Sequence, residues 1–394
     1  MVDRIYYKMN YFKEAVCFDP VNYYLLLEKE DLTELKQKLS PKDIQEIVQK
    51  LESIHVNYRQ EQISVVNKPT HFLGFDPKDY VSLATYYWPN PNTKDGLPYI
   101  SRDGEANPEG KKFDKDKLRQ LAFITYYQGI LYFLTEDKKY YLSLKDNLTY
   151  FFLDEITGMN PNLNHAQMIL GKNLGRGIGI IDFTANFTYP LRLLKILNDL
   201  GYIEEEFHSA LKSWIEKLAL WLEESPLGLE EKYARNNHGI FYDLGLATIY
   251  DFLEEDKKIL PLIYQMIEFR LEEEIASDGS MPKETARTKS KNYSLMAIKG
   301  VYDFNTLIRE YGYDLYHLED WYYRKTNINL KKSLEFLLDR LVTKKVSWEF
   351  EQIIPFDEAT LIPLLVESRK QFLNIHFDMI KKLTMKFDIL KMFL

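Results

Sequence analysis

A single cysteine, Cys17, in 394 residues excludes an internal disulfide framework and any cysteine-built metal cluster. Long apolar runs are missing too, and none approaches the roughly 18 to 20 residues of a membrane span. The seven histidines include no pair at i, i+4 spacing. Neither His-Glu-x-x-His nor Cys-x-x-Cys occurs, so no metal or other cofactor is expected. Gly175-Arg176-Gly177-Ile178-Gly179 lacks the final glycine and the preceding strand of a phosphate-cradling loop. No Gly-x-Ser-x-Gly nucleophile elbow is present. Positive charge is in deficit: the net charge of −8 argues against a nucleic-acid partner held by phosphate neutralisation. The N-terminus, Met1-Val2-Asp3-Arg4, carries charges where an export signal needs an apolar core.

What is present is apolar residue in helical rhythm and an excess of tyrosine, 29 against 5 tryptophans, which suits helix packing and sugar-binding clefts alike. Ser40-Pro41 reads as an N-cap followed by proline at the first helical position. Ile44, Ile47, Val48, Leu51 and Ile54 then form one apolar stripe. Further helices are predicted at about 116–135, 138–152, 188–200, 203–223, 240–254, 257–275, 292–311 and 328–342. Strand-type alternation is scarce, so a sheet-based core is not expected. Antiparallel helices joined by short turns suggest a bundle, a solenoid or a closed helical toroid, and the absence of a fixed repeat period weighs against the solenoid. No composition shift marks a second domain, so residues 1–394 are expected to form one, with 371–394 as a docked terminal helix rather than a membrane-surface helix.

Three segments are too long and too peculiar for plain connectors. Residues 86–110 are dense in turn formers yet carry Trp88 and Tyr99; residues 158–182 include Asn164, Gln167 and Arg176; residues 277–291 hold Lys283, Arg287, Lys289 and Lys291, four cations within nine positions that are opposed there only by Glu284. A local basic cleft of this kind can sit on an acidic body. Asp182, Asp243, Asp278 and Glu284 lie beside these segments, and a glycoside hydrolase would need two such carboxyls. Among 59 acidic residues, nothing picks out a pair.

The most informative stretch is Asn236-Asn237-His238. Asparagines are poor inside helices and suit capping or amide donation, so both read as caps for a helix starting near Gly239. With Arg287 and Tyr293 downstream, the same residues suit elimination on an acidic sugar. Abstraction of the proton at C5 of a uronate builds negative charge on its carboxylate, which amide and cationic donors stabilise. A base takes that proton and an acid protonates the departing O4. Where the two groups share a face of the ring, as in D-mannuronate or D-glucuronate, Tyr293 could serve both steps if Arg287 or the nearby lysines favour its phenolate. For the C5 epimers His238 is the better-placed base.

At these residues the chain resembles the alginate-lyase superfamily of helical-toroid polysaccharide lyases, which includes family-five alginate lyases and family-thirty-eight glucuronan-type lyases. Tyr87-Trp88-Pro89-Asn90-Pro91 with Gly96-Leu97-Pro98-Tyr99 resembles its aromatic lid. Met159 to Asp182 resembles its cleft-lining segment, and Asn237-His238, Arg287 and Tyr293 match its central residues. The resemblance implies an all-α fold, an incomplete (α/α) toroid of antiparallel helix pairs with long cleft-forming loops. It implies that Asn237, His238 and Arg287 neutralise the carboxylate and that Tyr293 is the acid and the base. Trp88 and Tyr99 would stack on sugar rings, while Asn164, Gln167 and Arg176, with Arg235, Tyr242 and Lys289, would contact neighbouring uronates.

Gly245 and Lys291-Asn292 depart from the family's pattern, which has glutamine at the first position and aromatic or histidine character at the second. Family members are exported, implying a periplasmic or secreted protein, although no export signal is visible here. The expected activity is β-elimination on a 1,4-linked polyuronate by a monomer or weak homo-oligomer. The rival readings are a toroid hydrolase acting on uronic-acid oligosaccharides and a non-catalytic carbohydrate-binding relative.

Overall fold

The computed structural model describes residues 24–55, 63–69, 74–322 and 330–365. They divide into two compact units, residues 29–230 and residues 24–28 with 231–365. The terminal segment 371–394 lies outside the described residues.

In the first unit, Lys29–Lys38 (α1) and Pro41–His55 (α2) are followed by Lys115–Thr135 (α3), Lys138–Leu148 (α4), Ile181–Asp199 (α5) and Glu205–Glu224 (α6). Ser40 and Asp43 cap α2 reciprocally. Asp43 N–H donates to Ser40 Oγ at 3.2 Å, and Ser40 N–H and Oγ donate back at 2.9 and 2.5 Å. α3 is apolar nearly all round, as a helix buried on several sides must be, and packs against both α4 and α5. It ends at Glu136, whose left-handed φ of 56° turns the chain, and Asp137 then caps α4 by accepting from Lys139 N–H at 3.0 Å. That two-residue connection forces α3 and α4 antiparallel. The helix predicted from 188 begins at Ile181, because Pro190 sits inside α5 rather than near its start.

Strands among the described residues are four and short. Val81–Leu83 (β1) pairs parallel with His165–Met168 (β4). Tyr87–Trp88 (β2) pairs antiparallel with Ile100–Ser101 (β3), so the segment expected to be irregular is built on a small hairpin.

Pro226–Lys232 (α7) leads into the second unit. Its core is Asn237–Leu253 (α8) packed against Ser290–Arg309 (α10), where Gly300 admits Ile240 and Phe241 at close range. Ile259–Gln265 (α9) widens into a π-helical turn at Met266–Leu271, and Leu330–Leu337 (α11) follows. No helix among the described residues is long and apolar enough to cross a membrane.

Two charged features decide the energetics of this unit. Arg270, fully buried, donates to Asp243 through Nε at 2.9 Å and Nη2 at 3.2 Å, and Gln265 also donates to that carboxylate. The remaining guanidinium hydrogens reach the carbonyls of Ala234 at 2.6 Å and Lys232 at 2.7 Å. Removing one member of such a set leaves an uncompensated buried charge. Arg270→Ala should therefore lower the unfolding free energy by about 3–5 kcal/mol in urea denaturation, and a loss under about 1 kcal/mol would contradict this role.

Glu274, 5% exposed, has neither carboxylate oxygen hydrogen-bonded, and burial pushes its pKa up to about 8. The folded state thus keeps a proton that the unfolded chain releases. Its contribution to stability is full below the ordinary glutamate range and is lost as pH rises towards 8. The thermal midpoint of the wild type should fall across that window, and that of Glu274→Gln should fall less. Parallel slopes would refute the assignment.

Candidate active site

The loop held by Arg270 delivers the Asn-Asn-His triplet. Asn236 is extended, with φ −163°, and its side chain accepts from His238 N–H at 3.1 Å, so it caps α8 as its residue type predicts. A Cβ on Gly239 would run into the Ala234 carbonyl and the Arg270 guanidinium, so only glycine fits one residue beyond His238.

Asn237, 1% exposed, is gripped by one carboxylate: its N–H donates to Glu284 Oε1 and its Nδ2 to Glu284 Oε2, each at 2.7 Å. The second hydrogen on Nδ2 and the carbonyl Oδ1 remain for other partners. His238 Nδ1 lies 2.9 Å from Glu231 Oε1, and Glu231 is fully buried. A carboxylate only accepts, so Nδ1 carries a proton towards Glu231, and Nε2 lies at the other side of the ring.

Glu284 stands in the single helical turn Pro282–Thr285. Burial pushes its carboxyl above the ordinary range, against the two Asn237 donors and the nearby charges of His238 and Arg287. Its backbone carbonyl accepts from Arg287 N–H at 3.2 Å. Arg287 in turn donates from Nη2 to the Tyr293 hydroxyl at 3.0 Å, with its guanidinium 3.9 Å from the centre of that ring. Tyr293 lies in the first turn of α10 and is 8% exposed. Asn237 is thus bonded to the Glu284 carboxyl, His238 and Arg287 act on it electrostatically, and Tyr293 joins them through Arg287.

Arg235 donates from Nε to Glu273 at 2.6 Å and lies 4.1 Å over the Phe269 ring. Tyr242 is buried in α8 at 1% exposure, and Lys289, also buried, occupies the N-cap position of α10.

In the first unit, Asp182 is buried and gathers Tyr80 at 3.1 Å, Ser82 at 2.6 Å, Gln167 at 2.9 Å and Lys115 at 2.8 Å. Burial alone would raise its carboxyl, but the Lys115 ammonium and these donors hold it below the ordinary range. Gln167, at a left-handed φ of 49°, is thereby fixed. Its carbonyl and Oε1 accept from Arg176 Nε at 2.9 Å and Nη2 at 3.2 Å, and Arg176 also faces the Tyr87 ring at 5.3 Å. Trp88 is half-buried, donating to the Glu105 carbonyl at 2.8 Å with Arg102 over its ring at 5.3 Å. Tyr99 donates to Glu109 at 2.6 Å, and exposed Asn164 accepts from Trp221 at 3.1 Å.

The carboxylates weighed for hydrolysis are all committed elsewhere. Asp182 serves its network, Asp243 pairs with Arg270, Asp278 accepts from Ser280 N–H and Oγ at 2.9 and 2.7 Å, and Glu284 grips Asn237. No acid–base pair is left among them. The residue that sequence reasoning missed is Glu231, one acid among 59, seven positions before the histidine it holds, with no motif to mark it.

The family model for alginate lyase matches residues 74–348. An alginate lyase from Bacteroides ovatus is 28% identical in sequence, with a TM-score of 0.81 over 90% of this chain and 93% of its own. Alginate lyase A1-III from Sphingomonas species A1 has a TM-score of 0.51 at 15% identity, over 90% of this chain and 91% of its own. A variant of A1-III complexed with a tetrasaccharide has a TM-score of 0.52 at 14% identity, with 90% of each chain covered. Among curated proteins none matches. The chain belongs to the alginate lyase family and is a polysaccharide lyase of the (α/α) toroid fold.

Proposed function

We propose that this lyase cleaves a 1,4-linked polyuronate, mannuronate-rich alginate or glucuronan, by β-elimination at the Asn237–His238–Arg287–Tyr293 cluster. The observation that carries the reading is the 3.0 Å contact between Arg287 and the Tyr293 hydroxyl, with Arg287 and His238 both within electrostatic reach of the Glu284 carboxyl that holds Asn237. The adjacent guanidinium favours negative charge on the phenolic oxygen. Tyr293 can then remove the C5 proton, while Asn237, His238 and Arg287 stabilise the charge that builds on the uronate carboxylate.

The C4–O4 bond breaks as the C4=C5 double bond forms, and the proton taken from C5 passes to O4. No water is consumed, and the phenolate is regenerated. This route requires the proton and O4 to share one ring face, as in mannuronate and glucuronate; for their C5 epimers His238 Nε2 takes the proton. In the same reading the whole chain serves as one lyase domain in an exported protein. Trp88, Tyr99, Asn164, Gln167 and Arg176 hold neighbouring uronates, and Arg176 is set in place by Gln167 before substrate arrives.

Polymannuronate, polyguluronate and glucuronan offered separately should show an ultraviolet-absorbing product on at least one polymer. New reducing ends without absorbance would indicate hydrolysis, and binding without products a carbohydrate-binding protein. Tyr293→Phe should abolish turnover while binding persists; retained turnover would remove Tyr293 from the mechanism. His238→Ala should slow turnover by at least about a hundredfold, the scale of a lost general base or charge-stabilising group, and near-wild-type rates would remove it.

A further inference from the structure

Tyr293 stands in the first turn of α10, where backbone N–H groups have no partner within the helix. At the N-cap position, Lys289 does not cap the helix through its side chain. The missing cap comes instead from a segment some sixty residues downstream. Glu351 O accepts from Ser290 N–H at 3.3 Å and from Ser290 Oγ at 2.5 Å, and Gln352 Oε1 accepts from Lys291 N–H at 3.0 Å.

The same glutamine donates through Nε2 to Asn292 Oδ1 at 2.9 Å and to its own segment at the Ile354 carbonyl at 3.0 Å. An antiparallel bridge between Lys289 and Gln352, with Ile353 N–H on the Thr288 carbonyl at 2.9 Å, extends the pairing back towards Arg287. Trp348 anchors the segment. Its Nε1 donates to Ser290 Oγ at 2.8 Å, and its ring packs with Phe336 and Phe350 at 5.9 and 5.4 Å between centres.

We propose that residues 348–354 are a strap that positions Tyr293, with Gln352 as the positioning residue that fixes Lys291 and Asn292, the two residues immediately before that tyrosine. The inference rests on the lyase reading of Tyr293. Gln352 engages the Lys291 backbone and the Asn292 side chain at once, so the turn that aims the phenol towards Arg287 is set by a distant piece of chain. Lys291 and Asn292 are also where this chain departs from the pattern of the family it resembles, and here they are the strap's attachment points. A misaimed phenol still leaves the carboxylate-binding groups in place, so the effect falls on turnover rather than on substrate binding.

The test compares wild type, Gln352→Ala and Gln352→Glu on whichever uronate polymer the wild type degrades, with thermal unfolding in parallel. Gln352→Ala should lower kcat about ten- to a hundredfold with KM changed less than about twofold. Gln352→Glu, which keeps an acceptor for Lys291 N–H, should recover much of the loss. Unchanged kcat in the alanine variant overturns the proposal. So does a glutamate variant that folds like wild type but recovers nothing, or a rise in KM at constant kcat. An active wild type with indifferent Gln352 variants sinks the strap alone; a wild type inert on every uronate polymer sinks the lyase reading and the strap's role with it.

Discussion

The buried pairing of Arg270 with Asp243 is the constraint on which the second unit's chemistry depends. One guanidinium, with no exposed surface, satisfies a carboxylate and two carbonyls of the chain just ahead of α8. Burying two charges gains little net stability, because desolvation offsets most of their attraction. Here the pair fixes a backbone. Lys232 and Ala234 are held from one side, Ala234 N–H donates to the Glu231 carbonyl at 3.0 Å, and Glu231, Asn236 and His238 inherit that placement. Gly239 is the consequence, since the guanidinium comes so close that a side chain there has nowhere to go.

A second layer of buried carboxylates turns placement into chemistry. Glu231 aims one histidine nitrogen and Glu284 holds one asparagine through two hydrogen bonds. If, as proposed, the site accepts a uronate carboxylate, every acid nearby lowers its positive potential, so the role left to these two is orientation. Their bonds are formed before any substrate arrives, and donors fixed in advance stabilise developing charge without reorganisation. Burial raises the carboxyl of Glu284, which moderates the negative potential it adds next to Arg287.

Helices were legible because their signals are local. Ser40-Pro41, the apolar runs of α3 and α10, and the Asn236 cap are each written within one or two turns of chain. The four central residues could be singled out because their residue types suit the proposed chemistry, and the structure joins Asn237 to Glu284 and Arg287 to Tyr293. What escaped depends on distance in sequence. Glu231 has no mark until folding places it against His238, and Gln352 has none until it meets Lys291 some sixty residues away. The 86–110 segment read as a loop because β2 and β3 are two residues each, too short for an alternating pattern. Tyr242, which the resemblance implies as a substrate contact, is a buried residue of α8.

Elimination is the central claim, and the mass of the products tests it most directly. Oligomers released from mannuronan or glucuronan should be one water lighter than the corresponding saturated oligouronates, with the unsaturation located at the new non-reducing end. Products of saturated mass, released by the wild type and lost in Tyr293→Phe, would mean that this site hydrolyses its substrate and that elimination is wrong.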